Sequence, residues 1–216
     1  TGGAGYLGSH ACVSLDAAGY NTIILDNLSN SSFDSIENIS SLCKNNKPIF
    51  VQGDIRSSRD LNMIFKKYPI SAVMHFAGLK SVANSQSEKT LYYGVNVGGT
   101  INLAHEMGCA GIHRLVFSSS ATVYGDRSIP PYTENHPLNP VNTYGHTKLA
   151  VEKLLNDLSL DKSPWRIGIL RYFNPVGAHE SGLLGDNPVG PPNNLFPHIT
   201  QSLIGDAKSI NVFGGD

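Results

Sequence analysis

Thr1-Gly2-Gly3-Ala4-Gly5-Tyr6-Leu7-Gly8 opens the chain, and Thr22-Ile23-Ile24-Leu25-Asp26 follows one helix-length later. These two stretches decide the fold. Gly3, Gly5 and Gly8 satisfy GxGxxG, and Gly2, Gly5 and Gly8 satisfy GxxGxxG. Glycines so spaced permit a tight turn and let backbone N–H groups approach a pyrophosphate at the start of the next helix. The apolar run Thr22–Asp26 reads as a buried strand ending in a carboxylate 18 residues after Gly8. A carboxylate there accepts hydrogen bonds from ribose hydroxyls and repels a 2′-phosphate, which favours NAD over NADP. Read simply, Asp26 is a solvated strand end.

Outward from that unit, short apolar runs alternate with helical stretches. Further strands are expected at Ile49–Gln52, Ala72–His75, Leu115–Ser118 and Ile167–Leu170. Helices are expected at Tyr6–Ala18, Asp34–Lys44, Arg59–Lys67, a long one near Leu91–Met107, and Thr143–Leu158. Such alternation predicts an α/β fold, a doubly wound parallel sheet of the Rossmann type. A glycine turn of this kind follows a buried strand. No such strand precedes Thr1, and the end at Val212-Phe213-Gly214-Gly215-Asp216 is abrupt, so the sequence looks truncated at both ends. A sheet without its first strand predicts little activity from these residues alone. Residues 1–173 are expected to form the NAD-binding domain. The Gly-, Pro- and Asn-rich Asn174–Asn194 reads as a functional loop. With a helix at Leu195–Ile204 and a strand at Ile210–Phe213, residues 174–216 would begin a smaller substrate-binding region.

The bulk properties exclude some classes. The 216 residues carry a net charge of −1, with no basic surplus for nucleic acid or an anionic membrane. No apolar run reaches the ~18 residues a membrane helix needs. Cys12, Cys43 and Cys109 form no metal-ligand spacing, so no metal site is expected. They read as reduced thiols of a cytoplasmic protein.

Two motifs carry chemistry. Tyr144-Gly145-His146-Thr147-Lys148 places a phenol and an ammonium at i and i+4 on one helix face. A free phenol is a poor base at neutral pH, but nearby positive charge favours the phenolate. Alone, the pair also fits an exposed helix surface. Ser118-Ser119-Ser120-Ala121-Thr122-Val123-Tyr124-Gly125 begins at a predicted strand end, where open α/β sheets bind ligands. Asp54, after Ile49–Gln52, reads either as an adenine contact or as a helix cap. His75-Phe76-Ala77-Gly78 ends the next strand with small residues suited to lying against a dinucleotide.

This ordered set resembles the extended short-chain dehydrogenase/reductase superfamily. Asp26–Ser31, His75–Val82, Ser118–Asp126, Tyr144–Lys148, Leu170–His179 and Pro192–Leu195 are together similar to UDP-glucose 4-epimerases across essentially the whole chain. The YGHTK form and Leu154–Leu158 are similar to fungal versions, which implies a possible fused mutarotase domain. The resemblance implies Tyr144 as acid/base on the sugar 4-hydroxyl, Lys148 on the nicotinamide ribose, and Ser120 on the same sugar oxygen. It implies Gly2, Gly5, Tyr6 and Leu7 at the pyrophosphate, and Asp26, Asn27, Asn30 and Ser31 at the adenosine. Asp54 and Ile55 would contact adenine. Phe76, Ala77, Gly78, Lys80 and Asn96 would line the cofactor, Tyr172 and Phe173 its nicotinamide end. Asn174, Asn194 and Leu195 would hold the UDP-sugar. The partners implied are NAD, UDP-glucose and UDP-galactose, and the resemblance implies a homodimer through the Leu91–Met107 and Tyr144 helices, whose apolar faces equally fit core.

The chain also departs from that pattern. Val95 stands where the first of two adjacent asparagines is usual, leaving Asn96 and implying weaker cofactor binding or activity. Ala83-Asn84 replaces the usual Gly-Glu. Nucleotide-sugar 4,6-dehydratases need an Asp-Glu pair after the hydroxyl residue, and this chain has Ala121-Thr122. The alternatives are another NAD-dependent nucleotide-sugar epimerase and, of a different class, a non-catalytic or inactive NAD-binding module.

Overall fold

A computed structural model describes residues 1–126, 129–160, 162–187 and 194–205. The chain divides into two compact units. The first holds Thr1–Gly3, Ile23–Asn27 and Ile49–Phe173; the second holds Ala4–Thr22, Leu28–Pro48 and the residues from Asn174 onward.

In the first unit every described strand pairs in parallel. β1 (Ile23–Asp26) pairs with β2 (Ile49–Gln52). A second sheet runs in the order β3 (Val73–His75), β4 (Arg114–Ser120), β5 (Arg166–Tyr172). β4 and β5 extend further than their apolar runs, because ladder hydrogen bonds carry Ser119 and Ser120 into register with Arg171 and Tyr172. Thr1 and Gly2 bridge the two sheets. Thr1 N donates to Met74 O at 2.8 Å, Phe76 N donates to Thr1 O at 2.9 Å, and Gly2 N donates to Leu25 O at 2.8 Å.

The helices of this unit are α3 (Ser58–Lys67), α4 (Val82–Ser87), α5 (Lys89–Tyr92), α6 (Gly99–Cys109) and α7 (Thr143–Leu158). α3 packs on α6, α6 on α7, and α7 on β4 and β5. One core joins them, including Leu61, Val73, Leu103, Met107, Leu115, Phe117, Val151 and Leu155. Each such fully buried side chain contributes ~1.5–3 kcal/mol of burial free energy.

The single helix expected near Leu91–Met107 is interrupted. A π-helical segment, Tyr93–Gly98, separates α5 from α6. Gly94, Gly98 and Gly99 and the β-branched Val95 and Val97 weaken the α-helical ladder there. The buried Asn96 amide bonds Leu79 and Thr147 instead. α4 was not visible as a period because VANSQS has few apolar residues. Its signal is the cap: the Ser81 side chain accepts from Asn84 N at 3.2 Å.

The second unit contains α1 (Tyr6–Ala17) and α2 (Phe33–Leu42), packed on each other, and α8 (Leu195–Leu203). The strand expected at Ile210–Phe213 lies outside the described residues. Asp16 fastens the loop after α2. Its carboxylate accepts from Lys44 N, Asn45 N and Asn46 N at 2.6–3.1 Å. Burial opposes the charge, but these three N–H groups hold the carboxyl below its usual range. Stability from such a group is present above the unfolded pKa of ~3.9 and disappears as pH falls through the folded value. Asp16→Asn is therefore expected to lower the melting temperature at pH 7. The difference from the parent should close below about pH 4, measured by thermal melts across pH.

Among the described residues no helix is long and apolar enough to cross a membrane, and no cluster of three metal-binding side chains occurs.

Candidate active site

α7 starts where Asn142 accepts from Gly145 N at 2.8 Å. That cap fixes the helix so that Tyr144 and Lys148 share one face. Lys148 is buried, its Nζ donating to Ser118 O at 2.8 Å and lying 4.9 Å from the Phe117 ring centroid and 5.8 Å from that of Tyr144. Burial brings its ammonium down to about 8, against the opposing pull of the Glu152 carboxylate. Ser120, at the end of β4, accepts from Thr122 N and Thr122 Oγ1 and opens the 3₁₀ turn Ala121–Tyr124. Its hydroxyl also reaches the Tyr144 phenol. The structure thus brings Tyr144, Lys148 and Ser120 together. The pair is not the exposed helix surface that the spacing alone allowed.

The phenol is not poised as a base by the chain alone. Burial pushes Tyr144 above its ordinary value, and the Ser120 hydrogen bond opposes this only in part. Positive charge beside the ring is what would favour the phenolate against that burial.

At the ends of β1 and β3, backbone approaches backbone. Gly2 has φ +68°, and a Cβ there would lie 2.4 Å from Ala77 N and 2.8 Å from Phe76 C. No other residue type fits that turn. Asp26 is buried at the end of β1. Asn27 Nδ2 donates to Asp54 Oδ2 at 2.9 Å. Asp54 is also paired with Arg56 at 2.8 Å, whose guanidinium holds the carboxyl well below the usual range. The helix-cap reading of Asp54 is corrected, since Ser57 caps α3 by accepting from Asp60 N. Ile55 is buried in the core and its carbonyl accepts from Asn102.

Phe76, Ala77 and Gly78 leave β3 beside Asn96 and Lys148. A Cβ on Gly78 would lie 3.1 Å from Asn96 Oδ1 and 3.8 Å from Lys148 Nζ. Asn96 Oδ1 accepts from Leu79 N, and Nδ2 donates to Leu79 O and Thr147 Oγ1. The amide expected against a cofactor is therefore engaged in fastening this segment to α7. Val95 is half-buried beside it, and Lys80 is exposed. Tyr172 ends β5. Phe173 is exposed and stacks on Tyr124 and Tyr132, with centroids 6.4 and 6.0 Å away.

In the second unit Gly5 precedes α1, which has no side-chain cap and no acidic residue in its first turn. Tyr6 donates from its phenol to Gly177 O at 2.7 Å, and Leu7 is half-buried. Asn30 is exposed and Ser31 half-buried. Asn174 is exposed, Asn194 Nδ2 donates to Asp186 Oδ2 at 2.8 Å, and Leu195 is exposed. Two of the thiols, Cys12 and Cys43, are buried, and burial pushes Cys12 up to about 11.

Sequence reasoning missed two groups. His75 is fully buried, bonded to Thr1 Oγ1 and Thr100 Oγ1, and burial holds it neutral. The buried Glu152 and the partly buried Arg171 form an ion pair behind the site at 2.8 Å. The available signal was the spacing of Glu152, one further turn along the Tyr144–Lys148 face.

A profile of the NAD dependent epimerase/dehydratase family matches residues 1–215. The chain belongs to that family. Among family members, the UDP-glucose 4-epimerase of Neisseria gonorrhoeae is 50% identical over 217 residues, covering 100% of this chain and 64% of that protein. The bifunctional protein GAL10 of Pachysolen tannophilus is 46% identical over 220 residues, covering 100% of this chain and 32% of that protein. A solved structure of UDP-glucose-4-epimerase from Stenotrophomonas maltophila, with bound NAD and formylated UDP-arabinopyranose, superposes with a TM-score of 0.95 at 46% identity. It covers 99% of this chain and 63% of that one. The chain spans a little under two thirds of the curated UDP-glucose 4-epimerase it matches. The fold is α/β with parallel strands, of the Rossmann type.

Proposed function

We propose that this chain carries the cofactor-binding and catalytic residues of a UDP-glucose 4-epimerase, an isomerase that uses NAD to interconvert UDP-galactose and UDP-glucose through a transient 4-keto sugar. The observation that carries this reading is the convergence of the Tyr144 phenol, the buried Lys148 ammonium and the Ser120 hydroxyl at the end of β4. Open parallel sheets bind ligands at that end of their strands.

The residues fit NAD. The Gly2 turn leaves no room for a side chain, α1 opens with uncapped N–H groups, and Asp26 ends β1. Gly2, Gly5, Tyr6 and Leu7 would hold the pyrophosphate, and Asp26, Asn27, Asn30, Ser31, Asp54 and Ile55 the adenosine half. Phe76, Ala77, Gly78, Lys80, Tyr172 and Phe173 would line the rest, with Asn96 holding that lining in place. When bound, oxidised NAD supplies the hydride acceptor for sugar C4 and a positive charge near the phenol. Tyr144 takes the proton of the 4-hydroxyl and later returns it. Ser120 donates to the same oxygen as the carbonyl forms, and Lys148 holds the ribose and favours the phenolate. Lowering a phenol from ~10 to ~7 takes about 4 kcal/mol, and the burial of Tyr144 works against it. Asn174, Asn194 and Leu195 would hold the UDP-sugar while the ketone turns its other face to the cofactor.

Ala121-Thr122 disfavours a dehydratase, because elimination needs a carboxyl pair where this chain has a 3₁₀ turn without one. Val95 favours the alternative of a non-catalytic NAD-binding module. The exposed Leu91, Tyr93 and Ile101 support a homodimer through this helical segment, and the free thiols support a cytoplasmic setting. The bifunctional yeast relative supports a fused second activity, an aldose mutarotase.

The test incubates the corresponding full-length protein with UDP-galactose and NAD and follows UDP-glucose and free NADH together. UDP-glucose without stoichiometric NADH release is expected, with Tyr144→Phe lowering turnover about 10²–10⁴-fold. Sustained NADH release points instead to a dehydrogenase. Bound NAD without sugar conversion points to a non-catalytic module.

A further inference from the structure

Tyr144, Lys148 and Glu152 stand at i, i+4 and i+8 on one face of α7. The Glu152 side chain is 1% exposed. Its Oε1 accepts from Ser119 Oγ and from Arg171 Nε at 3.1 Å, and its Oε2 accepts from Arg171 Nη2 at 2.8 Å. Ser119 lies between Ser118, whose carbonyl receives Lys148, and Ser120. Arg171 immediately precedes Tyr172 and continues to Tyr124 Oη and Glu134 O, both at 3.0 Å. One carboxylate thus joins the helix carrying the phenol and ammonium to the strand ends carrying Ser120 and Tyr172.

We propose that Glu152 is a positioning residue for the reaction. Seated by Arg171, it sets the spacing of Ser120 and Lys148 from Tyr144 and sustains the charge of Lys148 with its own. This rests on reading Tyr144, Lys148 and Ser120 as the catalytic set. The charges around Lys148 agree with it. Glu152 is the anion on its own helix, Arg171 on β5 is the cation paired with Glu152, and His75 on β3 is held neutral by burial. Tyr144 lies on its own helix, Tyr92 of α5 faces Tyr144, and the Tyr124 hydroxyl of the 3₁₀ turn accepts from Arg171. Glu152 is the anion that favours the Lys148 ammonium against burial, so removing it leaves burial unopposed. An ion pair serving stability alone is replaceable by apolar side chains at little cost.

The experiment uses the corresponding full-length protein with ¹³C-labelled lysine. The Lys148 Cε shift, assigned with Lys148→Arg, is followed against pH in the parent and in Glu152→Gln. The midpoint is expected to fall by about one pH unit or more. An unmoved midpoint overturns the charge role. Because Glu152→Gln leaves Arg171 unpaired, the double variant Glu152→Leu/Arg171→Leu is measured beside it. It should keep the parent's melting temperature and NAD content, keep KM for UDP-galactose within about twofold, and lose kcat at least about tenfold. A stable double variant with parental kcat would make the pair merely structural and overturn the proposal. If the parent binds NAD but turns over no UDP-galactose, the epimerase reading fails, and the Lys148 midpoint still decides the role of Glu152.

Discussion

Lys148→Met is expected to leave the chain about as stable as the parent at pH 7, or more stable, while removing most of its turnover. Lys148 is an ammonium brought down to about 8 by burial. At pH 7 the folded chain holds a buried positive charge that water would solvate better. A depression of that size corresponds to roughly 3 kcal/mol of disfavoured charge, as an order of magnitude. Methionine fills similar space without the charge, and loses the hydrogen bond to Ser118 O, the cation's contacts with the Phe117 and Tyr144 rings and the attraction of Glu152. The pH dependence follows from the sign. Between about 8 and ~10.4 the unfolded chain keeps the proton that the folded chain has released, so parental stability rises with pH. The methionine variant's relative stability should shrink over that window. Turnover should fall about 10²–10⁴-fold, because the phenolate loses its ammonium. Thermal melts from pH 6.5 to 10 beside the UDP-galactose assay decide it. A variant melting well below the parent at pH 7 would mean that the charge stabilises the fold.

The second large effect is structural. Gly2→Ala is expected to destabilise the chain by on the order of 3 kcal/mol or more and to abolish NAD retention. Two costs combine. A left-handed φ is unfavourable for alanine, and the new methyl would sit 2.4 Å from the Ala77 backbone. Backbone at a sheet junction has little freedom to yield. Thr1 and Gly2 bridge β1 and β3, so displacing them disturbs both sheets. Gly19→Ala separates the two costs. Gly19 also has a left-handed φ, at +83°, but nothing lies within 4 Å of its added Cβ. It should lose only about 1–2 kcal/mol. Equal losses in the two variants, measured by denaturant unfolding, would remove the close approach as the cause.

The elements visible in the sequence are those whose pattern is local. β2 and α7 begin and end where their apolar spacing and caps place them. Tyr144 and Lys148 were legible because a helix of known period carries both. The π-helical interruption at Tyr93–Gly98 was not legible. It comes with the Asn96 amide bonding Leu79 and Thr147, 17 and 51 residues away. Likewise, nothing local in Glu152 shows that its partners are Ser119 and Arg171, brought alongside only when β4 and β5 pair.

By itself, then, the sequence determined the parallel α/β architecture and the glycine turn, and singled out Tyr144 and Lys148 as a candidate phenol–ammonium pair. Each depends on period, spacing and side-chain chemistry within a few turns of chain. Only the tertiary structure decided the protonation tendencies. Burial raises Tyr144 and lowers Lys148, and burial is set by what the whole fold stacks around a group. The same sequence distance of four residues suits a solvated helix surface, where both groups would keep their ordinary values. Here it lies against the ends of β4 and β5, where charge is poorly solvated and each neighbouring ion counts.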